Sequence, residues 1–171
     1  MIVRLFIGLE PTPDFRAALT EMQNRLRAAG VEGRYLSPDN LHLTLAFIGE
    51  WTTGVAECLP EVAEPFSITL SSPGVFRGAK VLWAGIEPSS RLSDLAAQVR
   101  QRLDDSDIPY DQQNFNLHIT LIRKPILPGG EIPASVQVVP ATMTVREVCL
   151  YQSVHEADGM RYTVISRSKG K

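Results

Sequence analysis

The sequence predicts an α+β fold of two similar lobes, a bilobal duplicated domain with two mainly antiparallel sheets, helices outside and a central groove. Two observations lead there. A strand–helix–loop–strand pattern occurs twice, and the last strand of each copy carries nearly the same residues. NLHLTL (40–45) recurs as NLHITL (116–121) at an offset of 76 residues, with five of six positions identical. A period this long excludes a solenoid and suggests two related lobes. Hairpin-like segments elsewhere favour antiparallel pairing over a wholly parallel sheet. The repeat spans roughly 2–49 and 79–124 within one domain of 171 residues.

Each element has a local reason. IVRLFIGL (2–9) is short, β-branched and aromatic, and Glu10-Pro11 closes it, so it reads as a strand and not as a signal peptide. Thr12-Pro13-Asp14 marks a helix start, with Thr12 as cap, Pro13 in the first turn and Asp14 facing the dipole. Phe15, Leu19, Met22 and Leu26 then form one apolar stripe, which Gly30 ends. A Gly-, Ser- and Pro-containing turn leads to a strand over 41–48. FSITL (66–70) and KVLWAGI (80–86) are further strands. A second helix runs from Ser89 to Leu103 on the stripe Leu92, Ala96, Val99, Leu103. LHITLIR (117–123) is a strand and KPILPGGEIP (124–133) a loop. TVREVCLYQS (144–153) and MRYTVIS (160–166) read as a closing hairpin around Asp158-Gly159. The basic tail, Arg167 to Lys171, is expected to fray.

Composition narrows the function. The chain has 17 Lys+Arg against 19 Asp+Glu and 44% hydrophobic residues, an ordinary globular balance. No apolar run approaches the roughly 20 residues that span a bilayer. A near-neutral chain is poorly suited to gripping long duplex nucleic acid, but a ligand with one or two phosphates is allowed. Cys58 and Cys149 lie far apart without CxxC spacing, which fits two reduced thiols in a cytoplasmic protein.

The repeated motif carries the chemistry. Alternation puts His42 and Thr44 on one strand face and Leu41, Leu43 and Leu45 on the other. His118 and Thr120 share a face in the same way, backed by Leu117, Ile119 and Leu121. Imidazole titrates closest to neutral pH, so one His can take a proton while the other gives one. The threonine hydroxyls can donate to non-bridging oxygens. Two opposed proton carriers with anion-binding hydroxyls suit attack on a phosphodiester. A lone HxT on a strand is commonplace, but its duplication inside a duplicated pattern is not explained by core packing, which needs only the leucines. His155, among Glu156, Asp158 and Gly159, reads as a solvated loop residue. There is no GxSxG, GxxxxGK[ST] or HExxH, and three scattered His with two lone Cys form no readable metal site, so no metal or cofactor is expected.

HLTLAFIG (42–49) and HITLIRK (118–124) resemble the paired HxTx motifs of the 2H phosphoesterases. The similarity is greatest to their RNA 2′,3′-cyclic phosphodiesterase branch, formerly called 2′-5′ RNA ligases. RLFIGL (4–9), GVF…KVLWAGI (74–86) and VCLYQS…GMRYTVI (148–165) also resemble that branch. Leu117 stands where the family usually has Pro, and Tyr35 where Trp is common; neither change removes a reacting group. The resemblance implies metal-free cleavage of a ribose 2′,3′-cyclic phosphate to a 2′-phosphate, with His42 as proton donor and His118 as proton acceptor. It also implies that Arg123 contacts phosphate. Phe47, at the equivalent place in the first lobe, could stack on a base. Strand parity stands against Arg123: five residues after His118 it falls on the opposite face unless the strand ends, twists or bulges. The implied partners are RNA or oligonucleotide 2′,3′-cyclic phosphate ends or cyclic nucleotides, with no membrane and no obligate protein partner. Rival readings are a phosphodiesterase for a small cyclic nucleotide such as ADP-ribose 1″,2″-cyclic phosphate or for 2′-5′ linked oligonucleotides, and a non-catalytic RNA-end binding module.

Overall fold

The computed structural model describes residues 1–112 and 117–168, so Asn116 of the second motif and the end of the basic tail lie outside the described residues. The strands are β1 (Ile2–Leu9), β2 (Glu32–Tyr35), β3 (Leu43–Thr52), β4 (Phe66–Phe76), β5 (Val81–Ile86), β6 (His118–Ile126), β7 (Thr142–Val145), β8 (Cys149–Glu156) and β9 (Gly159–Arg167); the helices are α1 (Pro13–Ala28) and α2 (Ser90–Asp105). All the described pairings are antiparallel, and the α+β class is as expected. The strand order is β7-β4-β5-β6-β3-β1-β8-β9, with β2 on β6.

The two halves of this sheet meet at one backbone bridge, Leu43 with Ile119. These residues occupy the same place in the two copies of the motif. On either side of the bridge β3 and β6 take other partners. β2 lies along the far part of β6, and the Asp111 amide donates to the Phe47 carbonyl of β3 at 2.8 Å. Each half of the chain therefore lends a segment to the other half's strand.

The apolar stripes do what their spacing requires. Phe15, Leu19, Met22 and Leu26 of α1 are fully buried, as are Val99 and Leu103 of α2. Both helices pack on one side of the sheet, against Leu43, Leu45, Ile119 and Leu121. Ser89 caps α2 through a 3.1 Å bond from the Leu92 amide, whereas Thr12 makes no side-chain cap on α1.

Three local expectations change. TVREVCLYQS is not one strand: β7 pairs with β4 and β8 with β1, at separate places in the sheet, and the chain crosses between them at 146–148. Residues 32–35, read as part of a turn, form β2. β6 continues past Arg123 to Ile126 because β2 supplies a partner there.

The feature that positions the site is a bulge, present in both motif strands. In β6, Trp83 of β5 pairs with Thr120 and Leu82 with Ile122, leaving Leu121 unpaired in that ladder. In β3, Gly8 of β1 pairs with Thr44 and Ile7 with Ala46, leaving Leu45 over. An extra residue resets alternation, so two consecutive side chains turn inward. Leu45 with Ala46, and Leu121 with Ile122, are all fully buried.

A buried glutamine holds the second bulge. The Gln23 amide on α1 donates to the Leu121 carbonyl at 3.0 Å and the Leu36 carbonyl at 2.9 Å, and the Leu36 amide also donates to Leu121 at 3.0 Å. Replacing Gln23 by Leu leaves the inward Leu36 carbonyl short of its donor. The expected loss is about 1–3 kcal/mol of stability, read from urea unfolding. An unchanged midpoint at unchanged slope would remove Gln23 from this role.

Candidate active site

His42 lies just before β3 and is held at both ring nitrogens. Nδ1 lies 2.7 Å from the Asn40 carbonyl and Nε2 lies 2.9 Å from the Thr44 hydroxyl. A carbonyl can only accept, so Nδ1 carries the proton and donates it. In the neutral ring Nε2 is then the acceptor for the Thr44 hydroxyl. Asn40 is itself anchored: its side-chain amide donates to the Met160 carbonyl at 2.7 Å and its side-chain oxygen accepts from the Tyr162 amide at 3.1 Å. The loop before the motif is thereby tied to β9.

Aromatic rings enclose the His42 imidazole. Phe6 lies 4.5 Å away between centroids, Tyr162 lies 5.1 Å away edge-on, and Tyr151 lies 5.5 Å away. Phe6 and Tyr151 stack at 4.7 Å, and with Cys149 they form a small apolar cluster separate from the helix-side core. Burial pushes the Cys149 thiol up to about 11, which makes it a packing group and not a nucleophile. Burial also lowers the His42 pKa to about 4. The bond to Asn40 opposes this shift, while the positive charge of Arg123 and the proximity of a second imidazole, His118, add to it. The resting His42 is therefore neutral at pH 7.

His118 opens β6 in a different wall. Phe76 meets it edge-on at 4.9 Å and Trp83 lies 6.1 Å away. Trp83 itself lies flat across Gly74 on β4, where a Cβ would come within 2.2 Å of its ring, so only glycine leaves room for it. The Leu43–Ile119 bridge sets the two motifs side by side. In antiparallel pairing it places Thr120 next to His42 and His118 next to Thr44, all four on the face away from the buried leucines.

The bulges bring in the last two expected residues. Parity reset at Leu121 turns Arg123 to the groove face, which resolves the objection raised by its odd offset from His118. The Leu45 bulge does the same for Phe47. A cavity of about 500 Å³ is lined by His42, Thr44, Phe47 and Arg123, together with Arg4, Phe6 and Tyr162. Arg123 donates to the Tyr162 hydroxyl at 3.3 Å, and the Arg4 guanidinium lies 5.2 Å over the Phe47 ring. His118 and Thr120 are not among the residues that line this cavity; the strand bridge sets them next to Thr44 and His42, which are. His155 lies apart at the exposed end of β8, in the strand and not in the loop its neighbours suggest, with Nδ1 3.2 Å from the Met160 sulfur. Among the described residues, no three His, Cys, Asp or Glu side chains come together as a metal site, and no helix is long and apolar enough to cross a membrane.

The sequence reading missed Arg4, Phe6, Tyr151, Tyr162 and the Phe76–Trp83 wall. A signal existed for the first two: Arg4 and Phe6 alternate with the buried Leu5 and Ile7. None existed for Tyr151 and Tyr162, which arrive from the last two strands.

The His42 midpoint can be followed by NMR of its ring carbon in the free protein. A value of about 4 is expected. Arg123→Gln should raise it, because a nearby positive charge that disfavours imidazolium is gone. A midpoint near the ordinary imidazole value in wild type would mean that the ring is not enclosed as described.

The chain is similar to known proteins in both sequence and fold. Residues 10–156 match the family described as the 2′-5′ RNA ligase superfamily. The chain is 32% identical over 145 residues to the RNA 2′,3′-cyclic phosphodiesterase of Escherichia coli K12, covering 79% of this chain and 78% of that one. It is 25% identical over 178 residues to the protein of the same name from Thermotoga maritima, covering 95% and 93%. The crystal structure of E. coli LigT complexed with 3′-AMP matches with a TM-score of 0.78 at 27% identity, covering 98% of both chains.

Proposed function

This chain belongs to the 2′-5′ RNA ligase superfamily, and we propose that it hydrolyses RNA 2′,3′-cyclic phosphate ends to 2′-phosphomonoesters. The observation that carries the reading is the meeting of two His–Thr pairs and one arginine on a single groove face. Relatives at about this identity bear the name of that activity, which supports the substrate class.

The chemistry follows from the placement. The cyclic phosphate lies between β3 and β6, where Thr44 and Thr120 donate to its non-bridging oxygens and Arg123 adds a charge-assisted contact. His118 takes a proton from water as the water oxygen bonds to phosphorus. The P–O3′ bond breaks, and His42 gives its Nε2 proton to the departing 3′ oxygen. Because His42 is neutral in the empty groove, it must gain that proton with the substrate. Burial is the largest cause that keeps the ring unprotonated; the anionic phosphate opposes it by attracting the imidazolium directly and by offsetting the smaller effect of Arg123. Phe47 and Tyr162 offer faces on which the terminal base can stack. The reaction as written needs no metal. We place the protein in the cytoplasm, on the strength of two buried, unpaired cysteines.

His42→Ala and His118→Ala should each lower turnover by about 10²–10⁴-fold on an adenosine 2′,3′-cyclic phosphate end, with activity kept in EDTA. Near-normal turnover in either folded variant defeats the two-histidine mechanism. Loss of activity on chelation, restored by one divalent ion, defeats the metal-free step.

Saturating inorganic phosphate should raise the His42 midpoint above about 4, by at least one pH unit as a rough expectation. Should it stay put, His42 remains neutral throughout and acts as the base. In that case an activated leaving group, which needs no acid, would rescue His118→Ala more than His42→Ala.

A further inference from the structure

Beyond the reacting groove, the far end of β6 carries an arrangement that folding alone does not favour. Arg34 on β2 pairs directly with Arg123 on β6. Directly opposed residues share a sheet face with their Cβ atoms about 5 Å apart, and like charges in that position repel. On the other side Arg123 faces Val81, which carries no charge. Among the described residues no carboxylate forms an ion pair with Arg34 or Arg123, not even Glu32 on the same short strand. Two lysines, Lys80 and Lys124, lie next along the same edge, joined by a 2.8 Å bond from the Lys124 amide to the Lys80 carbonyl.

The approach of β2 to β6 is enforced. Gly33 has φ of 144°, and a Cβ there would come within 2.7 Å of Ile122 and 3.0 Å of the Lys124 carbonyl. Tyr35, opposite Ile122, faces the helix side, where Arg27 of α1 stacks on its ring at 4.2 Å. One residue earlier, Arg34 therefore faces the groove side. The protein holds a second arginine beside the pocket arginine, and among the described residues no carboxylate forms an ion pair with it.

We propose that Arg34, next to Arg123, binds a second phosphate of the substrate, one group removed from the reacting phosphate. The proposal rests on the phosphodiesterase reading and adds a specificity to it. Ends that carry a neighbouring phosphate are preferred over a nucleoside cyclic phosphate that has only the reacting one. The chemistry required is a phosphate diester, monoester or pyrophosphate within reach of both guanidinium groups. An upstream RNA linkage and a dinucleotide pyrophosphate both meet it.

The test compares kcat/KM for four substrates: adenosine 2′,3′-cyclic phosphate, its 5′-phosphorylated form, the dinucleotide ApA ending in a 2′,3′-cyclic phosphate, and ADP-ribose 1″,2″-cyclic phosphate. Wild type should favour a two-phosphate substrate over the first by about tenfold or more, the scale of one charge-assisted hydrogen bond. Arg34→Ala should bring that ratio close to one, and Arg34→Lys should keep part of it. Preference for the nucleotide and dinucleotide assigns the site to the RNA strand, and preference for the ADP-ribose compound assigns it to pyrophosphate. Equal kcat/KM on all four substrates, or a preference that survives Arg34→Ala, overturns the proposal and leaves the phosphodiesterase reading intact. Turnover of none of the four overturns that reading instead. Calorimetry with adenosine 2′-phosphate against adenosine 2′,5′-bisphosphate then decides the second site alone: equal affinities reject it, and a difference abolished by Arg34→Ala upholds it.

Discussion

Strand alternation governs what this groove can contain. A regular strand gives one face every second residue, so His, Thr and a third group five places on cannot share a face. One additional residue, Leu45 in β3 and Leu121 in β6, lifts that restriction in both strands. The helix-side core gains a second consecutive apolar side chain, and the groove gains Phe47 and Arg123. Packing and function are thus solved by the same irregularity. The carbonyl left over at Leu121 is met by Gln23 and Leu36, so the bulge leaves no buried acceptor unsatisfied.

The electrostatics follow from that placement. Arg123 on the groove face adds positive charge next to two imidazoles, and the aromatic cage around His42 removes the water that would dilute its effect. An empty groove of this kind disfavours a charged His42 and favours an anion. The protonation state of the site is therefore coupled to its occupancy, with Asn40 fixing which nitrogen takes part.

Much of this was legible in the sequence, and the reasons are local. His42, Thr44, His118 and Thr120 stood out because a motif occurred twice, and the stripes of both helices because 3.6-residue periodicity is strong over four turns. Leu45-Ala46 and Leu121-Ile122 broke the two-residue alternation, a mark of a bulge that passed unread. β2 was hidden because four residues with a glycine show no pattern of their own; β6 makes them a strand. TVREVCLYQS looked continuous because β-propensity says nothing of which neighbour a strand will choose. Gln23 looked like one polar residue on a surface helix, since its two acceptors lie 13 and 98 residues away.

The pairing of β1 has a bearing on how this chain comes off the ribosome. The first strand made sits between β3 and one of the last, β8, and the rings that enclose His42 include Tyr151 and Tyr162. β2 waits on β6, and the Phe47 carbonyl of β3 waits on the Asp111 amide, each a partner from the other half. Contacts so distant along the chain form late and together. A nascent chain that already holds both histidines still has an open sheet edge at β1 and an uncovered His42. Such an intermediate exposes a strand edge that invites mispairing. Catalytic competence and protection from aggregation then arrive in the same step, when β8 and β9 close over β1.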